Sequence, residues 1–254
     1  MSEINGIFDR AERLLGEEAM VHIGKVRIIL FGVGGVGSWC AEGLIRMGVR
    51  QLTIVDADRV CETNINRQLM ATTKTIGELK VEALKSRLLD INPEADITAI
   101  AGVYNEDTSA SFQLDTYDYI IDAIDSLKYK VHLIRTAART KAKLYSSMGA
   151  ALKMDPTRIK VAEFWKVKGC PLAAALRRKM KEGERPAKKF LCVYSDELLE
   201  NKGSVYETDE SKKSALLKEE NPSKKAQING TLVHITAIFG FTLAGLVVQD
   251  ICKE

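Results

Sequence analysis

Short, nearly continuous apolar runs alternate through the first 150 residues with longer stretches whose apolar positions recur at helical spacing. The first run, Val26, Ile28, Ile29, Leu30 and Phe31, has the unbroken apolar character that a strand buried on both faces needs. Gln51–Asp56, Asp96–Ala101, Tyr117–Ala123 and Leu144–Met148 read as four more strands. Residues 1–24, the stretch from Ser38 to about Gly48, Ile76–Ile91 and Lys128–Lys141 read as helices. In Ile76–Ile91 the residues Leu79, Ala83, Leu84, Leu88 and Ile91 share one face. Strands alternating with helices predict an α/β fold, a doubly wound, mostly parallel sheet whose ligands bind at the carboxyl ends of its strands.

The pattern changes after Pro156. Ile159–Trp165 and Phe190–Tyr194 read as further strands, and Asn201–Asn229 is polar and aperiodic, which predicts a mobile loop. Thr231–Ile251 is strongly apolar but diluted by His234, threonines and glycines. It barely reaches spanning length, so a buried or dimer-packing helix is expected, with peripheral membrane association as the alternative.

Composition narrows the class. With 46% hydrophobic and 28% charged residues the chain has the balance of an ordinary soluble domain, and its length suffices for a full core. A formal net charge of +3 does not by itself imply a nucleic-acid partner. Its distribution is more telling, since the many Lys and Arg between 166 and 189 are opposed only by Glu182 and Glu184. The five cysteines are widely spaced and form no C-x-x-C pair, so neither a disulfide framework nor a structural zinc is expected. Together with a polar start that lacks a signal peptide, this points to a reducing cytoplasm.

Candidate chemistry begins at the end of the first strand. Gly32, Gly34 and Gly37 follow it in G-x-G-x-x-G spacing, just where a helical pattern opens. Glycines there permit a tight reversal and let backbone N–H groups and a helix N-terminus meet a phosphate. Taken alone, that motif fits a dehydrogenase or a non-enzymatic nucleotide module. Further candidates follow at strand ends: Asp56 and Asp58, then Asn64, Arg67 and Gln68 in N-x-x-R-Q, Lys80, and Asp122 and Asp125 in D-A-I-D-S. Asp56 is placed to take ribose hydroxyls. An arginine and a lysine converging on one space suit a triphosphate, and a carboxylate at the fourth strand end suits Mg²⁺. Hydride transfer needs none of these groups.

Gly32-Val-Gly-Gly-Val-Gly-Ser38, DADRVCETNINRQ, the lysine of IGELK and DAIDS together resemble the ubiquitin-activating family of adenylating enzymes. FDRAERLLG, INPE at 91–94, YIIDAIDS, DPTRIKVAE and TAIFGF are most similar to the branch that cyclises threonylcarbamoyladenosine in tRNA beside the anticodon. The resemblance implies a Rossmann-like ATP-binding domain over 1–152 and a C-terminal α/β extension over 153–254, packed on the same sheet, for substrate and dimer contacts. It implies ATP-dependent dehydration through an acyl-adenylate, releasing AMP and pyrophosphate. The alternative is adenylation of a small ubiquitin-like sulfur-carrier protein.

By the same resemblance Gly32, Gly34, Gly35 and Gly37 form the nucleotide loop. Asp56 sits on the ribose, Asp58 either belongs to the cofactor-binding set or caps the loop, Asn64, Arg67, Gln68 and Lys80 hold phosphates, and Asp125 holds Mg²⁺. Arg67, Lys80 and Asp125 are the candidate catalytic residues. The implied assembly is a homodimer in which an N-terminal arginine reaches the neighbouring site. Ile7 stands where many relatives carry the first arginine of that motif, so Arg10 fits better by spacing than Arg13. Sulfur-relay accessory proteins are further candidate partners.

Other residues have plainer readings. Asp122 suits a structural hydrogen-bonding role, Cys61 and Cys192 suit packing, and His22, His132 and His234 lack partners at metal-ligand spacing. No catalytic cysteine is assigned, because KKAQINGT fills the region where some relatives place one. Lys166, Lys168, Arg177, Arg178 and Lys181 form either a solvated face or a track for the tRNA backbone. Trp165 and Tyr194 are either core or stacking platforms for a base.

Overall fold

A computed structural model describes residues 6–203 and 229–253; the stretch 204–228 of the expected loop lies outside the described residues. Seven strands form one sheet: β1 Arg27–Phe31, β2 Gln51–Val55, β3 Asp96–Ile100, β4 Tyr119–Asp122, β5 Lys143–Ser147, β6 Ile159–Glu163 and β7 Leu191–Ser195. Their order is β3-β2-β1-β4-β5-β7-β6. Every pairing is parallel except that of β6, which runs antiparallel to β7 at the edge. Among the described residues the α-helices are α1 Asp9–Leu15, α2 Glu17–Lys25, α3 Gly37–Arg46, α4 Lys80–Ile91, α5 Leu127–Ala137, α6 Pro171–Glu182 and α7 Val233–Ile251.

The apolar run of β1 is buried on both faces, as its sequence requires. Ile28 and Leu30 enter the core built with α3, α4 and α7, while Ile29 and Phe31 enter the one built with α5 and α6. β1 and β4 are neighbours although two strands and two helices separate them in sequence. Strand order therefore reverses between them, which opens a crevice at their carboxyl ends.

Three elements differ from the sequence expectation. The N-terminal helix is two helices, because Gly16 between them adopts φ +86°, a conformation no helix contains. α4 starts at Lys80 rather than Ile76, since the preceding residues turn through Gly77 at φ +90° and Leu79 bridges Arg59. α6 was hidden by the basic run: its Ala173, Leu176 and Met180 are buried at helical spacing beneath a cationic outer face, with Pro171 starting it.

α7 is long and apolar enough to cross a membrane by length and composition, but half of its most apolar stretch is buried inside the protein. Ile235, Phe239, Leu243 and Val247 face the core, each such burial stabilising by roughly 1.5–3 kcal/mol. The helix comes so close to α3 that a Cβ on Gly240 would lie 2.5 Å from the Val36 carbonyl and 2.7 Å from the Cys40 nitrogen.

Candidate functional site

The crevice at the switch point is an open cleft of about 570 Å³. Its floor is the turn after β1. Gly32 has φ +85°, and a Cβ there would fall 2.7 Å from the Ala123 carbonyl, so only glycine lets the turn lie against the end of β4. Gly37 is needed for a different reason, because its Cβ would collide with the Gly32 carbonyl at 1.8 Å. Gly32, Gly34 and Gly35 line the cleft, whereas Gly37 supports them from behind. The N-termini of α3, α4 and α5 reach the cleft through Val36, Lys80 and Ser126, and none is capped by its own side chain. The positive ends of three helix dipoles thus face one space.

Of the residues expected at the site, Asp56, Asp58, Arg67, Gln68, Lys80 and Asp125 all line this cleft. Asp56 is fixed by accepting from the Val33 amide at 2.8 Å and the Asp58 amide at 2.9 Å. Lys80 is buried along its stem, and its ammonium meets the exposed Asp58 carboxylate at 2.8 Å. Arg67 donates to the Thr63 carbonyl at 2.8 Å and the Asn66 side chain at 2.9 Å, contacts that hold the guanidinium in place at the rim. Gln68 is buried, and its Oε1 has no hydrogen-bond partner among the described residues. An orphaned acceptor beside a nucleotide-sized space fits a site awaiting a donor from its ligand. The Asp125 carboxylate is exposed and has no hydrogen-bond or ion-pair partner among the described residues.

Two expected residues stand elsewhere. Asn64 is buried outside the cleft, where its Oδ1 accepts from the Cys61 amide at 3.2 Å and shapes the loop carrying Arg67 and Gln68. Arg10 is exposed on α1, away from the cleft lining. Asp122 does have the structural role, buried under the floor with Lys130 at 2.8 Å and the Ser146 hydroxyl donating at 2.7 Å.

Several lining residues carried no motif. Ser147, Met148, Gly149, Ala150 and Ala151 continue β5 into the cleft, and Leu172, Thr236, Tyr104 and Tyr129 complete its walls. The first five were discoverable as a strand's carboxyl end. Tyr104 stacks edge-on against Phe31, and burial pushes its hydroxyl above the usual phenol range, with the Asp122 charge adding to the rise. Thr236, brought in by α7, would lie 3.1 Å from a Cβ on Gly35, so the last helix backs the nucleotide loop.

The candidate tRNA-binding residues do not line the cleft. Lys166, Lys168, Arg178 and Lys181 are exposed, while Arg177 is half-buried and donates to the Phe164 carbonyl at 3.2 Å. Tyr194 is buried in the core. Trp165 is half-buried, with the Arg185 guanidinium 5.4 Å above its ring.

A model of the ThiF family matches residues 8–254. A Bacillus subtilis protein named tRNA threonylcarbamoyladenosine dehydratase is 36% identical over 249 residues, covering 97% of this chain and 95% of that protein. The structure of Escherichia coli tRNA N6-threonylcarbamoyladenosine dehydratase in complex with ATP superposes with a TM-score of 0.83 at 33% identity, covering 99% and 96% of the two chains. Its complex with AMP gives a TM-score of 0.83 at 32% identity, covering 100% and 96%.

Proposed function

The chain belongs to the ThiF family, and from that premise we propose that it dehydrates threonylcarbamoyladenosine in tRNA at the expense of ATP. The observation that carries the reading is the joining, in one cleft, of a glycine loop, Arg67, Lys80 and an unpartnered Asp125. The likeness to a dehydratase over 97% of this chain and 95% of that protein, against 55% and 54% for a molybdopterin-synthase adenylyltransferase, favours this over activation of a sulfur-carrier protein.

The threonyl carboxylate of the modified base attacks the α-phosphate of ATP, forming an acyl-adenylate and releasing pyrophosphate. Lys80 and Arg67 meet the charge that builds on the phosphates, helped by the uncapped helix N-termini, all held in place before reaction. Asp56 orients the ribose, and Gly32, Gly34 and Gly35 let the backbone approach the phosphates. The substrate's own carbamoyl group then attacks the activated carbonyl, AMP leaves with the former carboxylate oxygen, and a ring closes with loss of a proton. That step needs positioning more than a protein nucleophile, since both groups belong to one molecule.

Asp125 fits a hard divalent cation: its carboxylate is free, exposed and inside the cleft. No group of three His, Cys, Asp or Glu side chains able to hold a metal occurs among the described residues, so Mg²⁺ would come with the phosphates and meet this one carboxylate. Bound there, the cation would supply neutralisation of phosphate charge.

Lys166, Lys168, Arg178 and Lys181 we assign to the tRNA backbone, and residues 153–254 to substrate and dimer contacts alongside the nucleotide-binding residues 1–152. In a homodimer the exposed Arg10 would serve the neighbouring cleft. We place the enzyme in the cytoplasm. The test is to incubate the protein with ATP, Mg²⁺ and tRNA bearing threonylcarbamoyladenosine, then weigh the nucleosides. Loss of one water from the modified nucleoside, with one AMP formed per event, is expected; AMP formation without that loss would refute the reading.

A further inference from the structure

Beneath the cleft floor lies an ion pair sealed from solvent. Lys130 of α5 and Asp122 at the end of β4 both have fully buried side chains, 2.8 Å apart. A buried pair is weak evidence of stabilisation, because its desolvation cost offsets much of its attraction and apolar residues of similar volume often serve as well. What distinguishes this pair is what else it holds. The Asp122 carboxylate accepts from the Ile124 N–H at 3.1 Å, and the Lys130 ammonium donates to the Ile124 carbonyl at 2.9 Å. The two peptide planes flanking Ile124 are therefore each tied to one member of the pair, and the second plane leads directly into Asp125. The Ser146 hydroxyl fixes Asp122 from β5 at 2.7 Å. From above, the turn touches the nucleotide loop, where a Cβ on Gly32 would lie 3.0 Å or less from the Ala123 carbonyl group.

We propose that Lys130 is a positioning residue: its ammonium clamps the turn from Ala123 to Ser126 and so sets where the Asp125 carboxylate stands. The pair is neutral as a whole and out of contact with the cleft, so its effect is on geometry. Asp125 is exposed, and among the described residues no hydrogen bond or ion pair holds its side chain. Its aim depends on the backbone below it. The inference rests on the reading of Asp125 as the carboxylate that meets Mg²⁺ with ATP.

The experiment compares the full-length protein with Lys130→Met, Lys130→Arg and the uncharged double variant Asp122→Asn/Lys130→Met. The double variant leaves no buried charge unpaired, and it decides the matter if Lys130→Met alone does not fold. Two quantities are read: amide hydrogen exchange of the 122–126 segment without ligand, and the Mg²⁺ concentration giving half-maximal AMP formation at saturating ATP and tRNA. Loss of the clamp should speed exchange at Ile124 and raise the Mg²⁺ requirement about tenfold or more, the usual cost of losing support behind a metal ligand. Lys130→Arg, which keeps a cation, should recover part of both. A folded double variant with wild-type exchange and wild-type Mg²⁺ requirement would overturn the proposal. An Asp125→Asn protein with an unchanged Mg²⁺ requirement would instead remove the metal reading, and the exchange rate would then judge the clamp alone.

Discussion

Lys80 has a buried stem, and its ammonium is the group that the proposed function sets against the phosphates. Its stem is packed inside, yet its partner Asp58 is 71% exposed, and a contact so open to water adds little to stability. Replacing it with methionine keeps the stem and removes the charge. Lys80→Met should therefore melt close to the unaltered protein while kcat/KM for cyclisation falls about 100-fold or more, the scale of losing one preorganised charge contact; differential scanning calorimetry and steady-state kinetics check both halves. The place of Lys80 in the cleft was legible in the sequence because it follows a strand end at a fixed motif spacing. Asn64 shows where such legibility stops. It belongs to the same N-x-x-R-Q motif, but its amide is spent on the Cys61 N–H, and no spacing rule tells a residue that touches a ligand from one that folds the loop beside it. Lys130 was invisible for a related reason, since a lysine in a helical pattern reads as solvated until the fold buries it.

Helices α3 and α4 are tied by Glu42, which takes Arg46 at 2.8 Å and Arg87 at 2.7 Å. Burial alone would push this carboxyl upward. The hydrogen bonds and charges of the two arginines outweigh that and hold it below the ordinary carboxylate range. A carboxyl whose folded pKa is depressed contributes stability above the unfolded pKa, near 4.3, and that contribution is lost as pH falls through the folded value. Urea midpoints measured from about pH 6 down to about pH 3 should drop along this limb, and Glu42→Gln should flatten it. Among the elements themselves, β1, β2, β4 and β5 were readable because strands buried on both faces write nearly continuous apolar runs, whereas the edge strand β3 is only partly buried. α6 was not readable. It needs only Ala173, Leu176 and Met180 for its inner face, and three residues among so many cations leave little periodic signal. The break at Gly16 was equally hidden, because a glycine near a helix end reads as tolerated until its φ is known.

At the scale of the whole molecule, the proposed function gives the cleft to the nucleotide and the exposed Lys166, Lys168, Arg178 and Lys181 to the tRNA backbone. Reversing Arg178 and Lys181 to glutamate should weaken tRNA binding and lower the steepness with which affinity falls as salt is raised, while ATP affinity stays put. Filter binding over a salt series, with calorimetric ATP titration as the control, measures this; unchanged tRNA affinity at low salt would assign these cations to solvent. Strand order could not be read directly, since β7 inserts between β5 and β6 although it follows both in sequence. Long-range assembly of that sort also bears on synthesis. The glycines of the nucleotide loop leave the ribosome early, but Thr236 and Gly240, which brace that loop, arrive only with the final helix. A nascent chain short of that helix carries the glycine signature of a nucleotide site without the wall packed behind it.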